Sequence, residues 1–208
     1  MSAPKTKAAE QPAKSTSKHI HPAANAALME LVLYPDPFLN QPAREVSAAE
    51  FRAGSAGGWN LNELVERMKA TMYSSEGVGL AAPQVRVGLR LFIADATQED
   101  DGSGFFAIFN PVLDEMKGSL TEEEGCLSIP DVRAKVKRFK LLRCSGFNVK
   151  GEPVEFEAGD LLARICQHEN DHLDGILFIS KISMTARFSN RKKLEELEAD
   201  YRIAKKRI

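Results

Sequence analysis

Cysteine is scarce in this chain, with three residues among 208, and an odd, small number excludes a closed disulfide framework and fits a reducing compartment. Histidine is nearly as scarce, at four, so two histidines at a chemically useful spacing carry weight. Long hydrophobic runs are missing: no stretch approaches the roughly 20 apolar residues that cross a bilayer, and no compact apolar segment follows the N-terminal lysines as a secretory signal requires. An excess of one charge is missing as well. The formal net charge is -1, with 27% charged and 43% hydrophobic residues, which gives no general attraction to nucleic acid or anionic membrane. These absences predict a soluble cytoplasmic protein with no membrane partner and no nucleic-acid sequence to read.

What is present suits one compact domain with a proper core. Residues 1–27 are rich in Ala, Pro, Lys, Ser and Thr and hold one large aliphatic residue, Ile20, too little to bury, so they are expected to be a disordered tail. An organellar transit peptide is the alternative, but the segment has no arginine and carries Glu10. Residues 28–208 are then the folded unit. Pro35 and Pro37 favour extended or turning backbone, and "AGSAGG" at Ala53 to Gly58 reads as a flexible loop. Asn60 and Glu63 form a candidate capping box for an amphipathic helix carrying Leu61, Leu64, Val65, Met68 and Met72 to near Ser75. From Leu89 to Phe156 short runs such as "LRLFIAD", "VRAKVKRF" and "LLRCSGFNV" are bounded by turn residues, which predicts a mainly antiparallel β region with a hairpin turn at Lys150-Gly151. Asp160 is expected to cap a helix from Leu161 to about Leu173, stopped by Gly175, and a last helix is expected over Ser189 to Lys206. The order predicts an α+β fold: a single domain of mainly antiparallel sheet packed around the histidine-bearing helix, with helices toward both termini.

That helix contains "QHENDHLDG". His168 and His172, four apart, lie one turn apart on one face and can meet at one metal ion. Glu169 is offset by about 100° and can reach a water at that ion without being a ligand, as a general base must. Read alone, the pattern suggests a zinc peptidase; two packing histidines is the bland alternative. A catalytic site needs a third protein ligand. No histidine follows His172, and Asp174, Glu195, Glu196 and Glu198 are downstream candidates, the three glutamates in a charged surface segment. Upstream, "EEEGCLSIP" places Cys126 after Gly125, and either a thiolate ligand or a small buried hydrophobe fits there. "EGVGLAAPQ", Glu76 to Gln84, is a glycine loop without the lysine of a phosphate-binding loop. Cys144 and Cys166 read as core packing, Cys166 lying about 200° round the helix from His168.

Together and in this order, "GVGLAAPQ", "EGCLS" and "QHENDHLDG" resemble the three motifs of the peptide deformylase family, and "YPDPFL" resembles its N-terminal segment. The resemblance runs from Leu31 to about Ile182. It implies a hydrolase that removes the N-formyl group from the initiator methionine of nascent polypeptides and releases formate. It also implies one divalent metal ion, Fe(II) first, with Zn, Ni or Co accepted. Carried over by position, Cys126, His168 and His172 look like the ligands and Glu169 the acid/base. The side-chain amide of Gln84 and the backbone N–H of Leu127 look like the oxyanion donors. By the same likeness an extended peptide would pair with backbone around Val78, Gly79 and Gly125. Val78, Leu161, Ile165 and the stem of Glu124 are candidates for the methionine pocket, and Arg133 is either a substrate contact or a solvated strand residue. The basic C-terminal segment suggests ribosome contact, against a solvated helix face. The rival functions are a zinc endopeptidase and an inert metal-binding module at the ribosome.

Overall fold

The computed structural model describes residues 27–97 and 104–206. The expected N-terminal tail therefore lies outside the described residues except for Ala27, whose carbonyl accepts a hydrogen bond from Arg67 Nε at 3.1 Å. No helix among the described residues is long and apolar enough to cross a membrane.

The architecture is the expected α+β domain. Helix α1 (Ala48–Ala53) is followed by a minimal hairpin, β1 (Ser55–Ala56) and β2 (Trp59–Asn60), and then by α2 (Leu61–Ser74). The main sheet has five strands, β3 (Gly79–Ala81), β4 (Leu91–Asp95), β5 (Phe105–Lys117), β8 (Leu141–Phe147) and β9 (Pro153–Gly159), in spatial order β3-β4-β5-β8-β9. Every neighbouring pair in it is antiparallel. Between β5 and β8 the chain leaves the sheet as a long hairpin of β6 (Leu120–Cys126) and β7 (Ile129–Arg138). The central helix α3 (Asp160–Leu173) lies against the sheet, and α4 (Met184–Ser189) and α5 (Arg191–Lys205) close the chain.

Apolar patterning accounts for the layers. On α2 the residues Leu61, Leu64, Val65, Met68 and Met72 are buried against Leu80, Leu91, Ile93 and Phe109 of the sheet. A second cluster unites Phe92, Ile108, Cys144 and Ala158 of the sheet with Ala163, Ile165, Cys166 and Leu173 of α3, so Cys144 and Cys166 are core residues as their setting suggested. A third joins Ile129, Val132, Ala134 and Val136 of β7 to Leu177, Phe178, Ile179 and Leu194. In α3 the residues from Ile165 to Glu169 and from Asp171 to Leu173 are buried, which marks a helix enclosed by the molecule rather than an amphipathic surface helix.

Three local expectations need correction. "AGSAGG" is ordered: Gly54 closes α1 in the left-handed conformation, and Gly57 and Gly58, both at positive φ, turn β1 into β2. Helix α1 itself went unforeseen, although Ser47 and Glu50 form a full capping box at its start. Asn60 does cap α2, accepting from Glu63 N at 3.1 Å, but the Glu63 carboxylate faces Arg67 at 3.7 Å instead of returning to the cap. Asp160 is not the cap of α3. Gly159 takes that place in extended conformation, while Asp160 stands inside the helix at φ 46 and reaches Lys140 at 3.7 Å. The expected last helix is present as α5, while the short α4 before it went unforeseen; the two are parted at Asn190, whose amide bonds to the carbonyls of Arg133 and Ala186.

Candidate active site

The three motif segments meet at one place. Gly79–Ala81 forms edge strand β3, and a 3-10 turn at Ala82–Val85 follows and buries Gln84. The β6-β7 hairpin breaks register between Glu124 and Cys126, which leaves Cys126 at the turn, facing α3. Its Sγ lies 3.2 Å from His172 Nε2. The Cys126 sulfur and one ring nitrogen from each of His168 and His172 lie within 4.8 Å of one another. A tetrahedral ion with bonds of about 2.0–2.3 Å would hold such atoms roughly 3.5 Å apart, so one thiolate and two imidazoles fit a single divalent metal with small adjustments. The downstream alternatives on α5 take no part in this group: Glu195 and Glu196 are exposed, and Glu198 accepts from Tyr34 OH at 2.7 Å.

His168 is oriented from behind. Its Nδ1 is 3.1 Å from Glu124 Oε2, which leaves Nε2 for the ligand cluster. Burial alone would push Glu124 up, but His168 and Arg138 outweigh it and hold the carboxyl at about 2. Burial also opposes charge on His168, yet the Cys126 sulfur and Glu124 lift its pKa to about 10, so a metal ion bound there would have to displace a proton. His172 is pushed well down by burial and by the neighbouring His168 and Arg138 charges, and so is neutral, as a metal ligand must be.

Glu169 stands beside this group with Oε2 buried and unpaired, the only side-chain carboxylate oxygen so found among the described residues. A buried orphan acceptor is costly. Burial pushes its pKa up to about 7, near the value at which a carboxylate both takes and returns a proton in neutral solution. Gln84 is held in one orientation: Oε1 accepts from Ala81 N at 2.8 Å, so Nε2 faces Ser128 Oγ at 3.2 Å and Cys126 Sγ at 3.4 Å. The amide donor thus points toward the cluster.

A cavity of about 530 Å³ opens onto these groups. Val78, just before β3, Gly79 in it, and Leu161 and Ile165 on α3 line one side, and Glu124, Gly125, Leu127 and Arg133 line it from the hairpin. Gln84, Cys126, His168 and Glu169 also border it, whereas His172 is buried behind them. Leu161 is exposed and Ile165 buried, so the pocket grades from its open rim to its floor. The Glu124 stem reaches the cavity while its carboxylate is spent on Arg138 and His168.

Sequence reasoning missed Arg138, Asp171 and Lys181. Arg138 Nε and Nη2 bond both oxygens of Glu124 at 2.9 and 3.0 Å, and Nη1 bonds Asp171 Oδ2 at 2.6 Å. Lys181 Nζ meets Asp171 Oδ1 at 2.7 Å. A signal for Arg138 was available: in β7 the residues Val132, Ala134, Val136 and Arg138 are buried in alternation, so the arginine occupies an inward position of a period-2 pattern.

The protein has relatives of known kind. The family model described as polypeptide deformylase matches residues 28–188. A peptide deformylase of Thermodesulfovibrio yellowstonii is 38% identical over 169 residues, covering 81% of this chain and 98% of the relative. One of Acidobacterium capsulatum is 41% identical over 157 residues, covering 76% and 88%. Among solved structures, a peptide deformylase of Legionella pneumophila superposes with a TM-score of 0.73 at 34% identity, covering 83% of this chain and 96% of that one. The plant peptide deformylase 1B of Arabidopsis thaliana, solved with an inhibitor, gives 0.75 at 34% identity, covering 83% and 92%.

Proposed function

Since this chain belongs to the peptide deformylase family, metal-dependent enzymes that remove the N-formyl group from nascent polypeptides, we propose that Cys126, His168 and His172 hold its metal and that Glu169 moves the proton. The observation that carries this reading is the cluster of three ligand atoms within 4.8 Å next to the unpaired Glu169 Oε2. The bound ion would supply Lewis acidity that activates water and polarises the formyl carbonyl. Glu169 takes the proton of the attacking water and passes it to the leaving amine, which is the dual role that a pKa of about 7 allows. Gln84 Nε2 donates to the formyl oxygen as negative charge develops there, helped by the backbone N–H of Leu127. Loss of one such donor typically costs about 2.7–4 kcal/mol of barrier.

The substrate is read by backbone and shape. Strand β3 is the edge of its sheet, so an extended peptide can add beside Val78 and Gly79 and reach Gly125 through main-chain hydrogen bonds. The methionine side chain enters between Val78, Leu161, Ile165 and the Glu124 stem, and Arg133, exposed on the cavity wall, meets the residues that follow. Fe(II) is the leading candidate for the ion, with Zn, Ni and Co as alternates, because a thiolate with two imidazoles suits several borderline metals; metal analysis after anaerobic purification decides among them. Ribosome contact through α5 has weaker support. Arg191 and Lys192 pair with Glu195 and Glu196 of the same helix at 3.2 and 3.9 Å, as on a solvated face. Cytoplasmic placement is supported by the bacterial origin of the curated relatives.

Glu169→Ala tests the mechanism. The variant is expected to retain one metal per chain while kcat/KM on a formyl-methionyl peptide falls at least about 10²-fold to 10⁴-fold. A metal-loaded variant with ordinary turnover would overturn the assignment. Hydrolysis of formyl-free longer peptides by the unmodified protein would point to the endopeptidase instead.

A further inference from the structure

A line of alternating charges runs from the surface to the ligand cluster: Lys181, Asp171, Arg138, Glu124 and then His168, linked at 2.7, 2.6, 2.9 and 3.1 Å. Side-chain exposure falls along it from 36% at Lys181 to 12% at Asp171 and 3% at Arg138. Burying a guanidinium is costly, and a hydrophobic residue of similar volume is often as good for stability. The alternation of β7 would accept one there. Arg138 therefore invites an explanation other than stability.

Its connections supply one. Glu124 precedes Cys126 by two residues on β6, and Asp171 immediately precedes His172 on α3. Nε and Nη2 of the planar guanidinium grip Glu124 while Nη1 grips Asp171, so a rigid fork spans the hairpin that carries the thiolate and the helix that carries both imidazoles. Glu124 Oε2 at the same time receives His168 Nδ1. We infer that Arg138 is a positioning residue that sets the spacing of Cys126 from the two histidines and the orientation of His168, with Lys181 steadying Asp171 from the solvent side. The inference rests on the assignment of these three residues as metal ligands.

The test is Co(II) binding to the full-length apo-protein, read as a dissociation constant against a competing chelator and as the thiolate-to-cobalt and ligand-field absorption. Arg138→Lys keeps the charge but cannot span both carboxylates. It is expected to weaken Co(II) binding about 10-fold to 100-fold, the range for outer-shell partners, and to change the absorption. Lys181→Met, at a half-exposed site, is expected to weaken it roughly 3-fold to 10-fold, below that range, with Lys181→Arg restoring it. If Arg138→Lys fails to fold, the Lys181 pair carries the test. Variants that lower the apo-protein melting temperature yet bind Co(II) with unchanged affinity and spectrum would make the network purely structural and overturn the inference. Failure of the underlying ligand assignment looks different: Cys126→Ala and His168→Ala would then bind Co(II) as tightly as the unmodified protein.

Discussion

A methyl group on Gly79 would come within 2.5 Å of Glu169 Oε1 and 2.9 Å of Ile165 Cγ2. The backbone of β3 cannot retreat easily, since Gly79 and its neighbours pair with Ala94 and Ile93, so the carboxylate must move. Gly79→Ala is therefore expected to lower kcat on formyl-methionyl peptides about 10²-fold, the scale of an ångström misplacement, while Co(II) affinity changes little because the nearest atoms that the methyl would meet belong to Glu169 and Ile165 and not to a proposed ligand. Steady-state kinetics with parallel metal titration checks this, and unimpaired kcat would mean that Glu169 has room the structure does not show. At this scale the sequence was informative where chemistry demands residue types at fixed spacing. The His168 and His172 pair follows from helical geometry, while Cys126, Gln84 and Leu127 stood out through resemblance. What escaped was pairing across distance. The alternation in "VRAKVKRF" places Arg138 on the inward face of β7, but its partners Glu124 and Asp171 are known only once the hairpin register and the packing of α3 are known.

Among elements, the segment before the site is clipped to it by Asp36. Its carboxylate caps the 3-10 turn Pro37–Asn40 through Phe38 N at 2.9 Å and pairs with Arg86 Nη2 at 2.8 Å, directly after the turn that carries Gln84. Burial works against the charge on Asp36, but Arg86 and the Phe38 N–H outweigh it and lower the pKa below its ordinary 3.8. A folded-state pKa below the unfolded one means that the ionised group contributes stability above 3.8, and that this is lost as pH falls and the folded group takes up its proton. Asp36→Asn keeps a capping oxygen and removes the charge. It is expected to cost about 1 kcal/mol at pH 7, a modest figure because Arg86 is largely exposed. The difference should shrink as pH falls below 3.8. Urea unfolding of both proteins at pH 7 and pH 3 measures it; a constant difference would assign the effect to packing. Elements with strong local signals, α2 and the strands, were legible from the pattern of their apolar residues. Asp160 misled because an acidic residue before an apolar run satisfies the capping rule, while extended Gly159 takes the position.

For the whole molecule, the sequence implied the α+β class but not the excursion of β6-β7 between two paired strands, because register is fixed by side chains far apart in the chain. That excursion brings the cysteine to the histidines, so the site depends on topology that no single segment encodes. The N-terminal boundary is open to direct measurement. Among the described residues, the first tertiary bonds are those in which Ala27 O accepts from Arg67 and Met29 N donates to Thr71 Oγ1 at 2.9 Å, and the family match begins at residue 28. We propose that the catalytic domain comprises residues 28–208 and that the preceding segment adds nothing to its stability. Removal of residues 1–26 keeps both of these bonds, so the urea midpoint and kcat/KM are expected to match those of the full chain. A loss above about 1 kcal/mol, the worth of a typical buried hydrogen bond, would show that the segment packs on the domain and that the folded unit begins earlier.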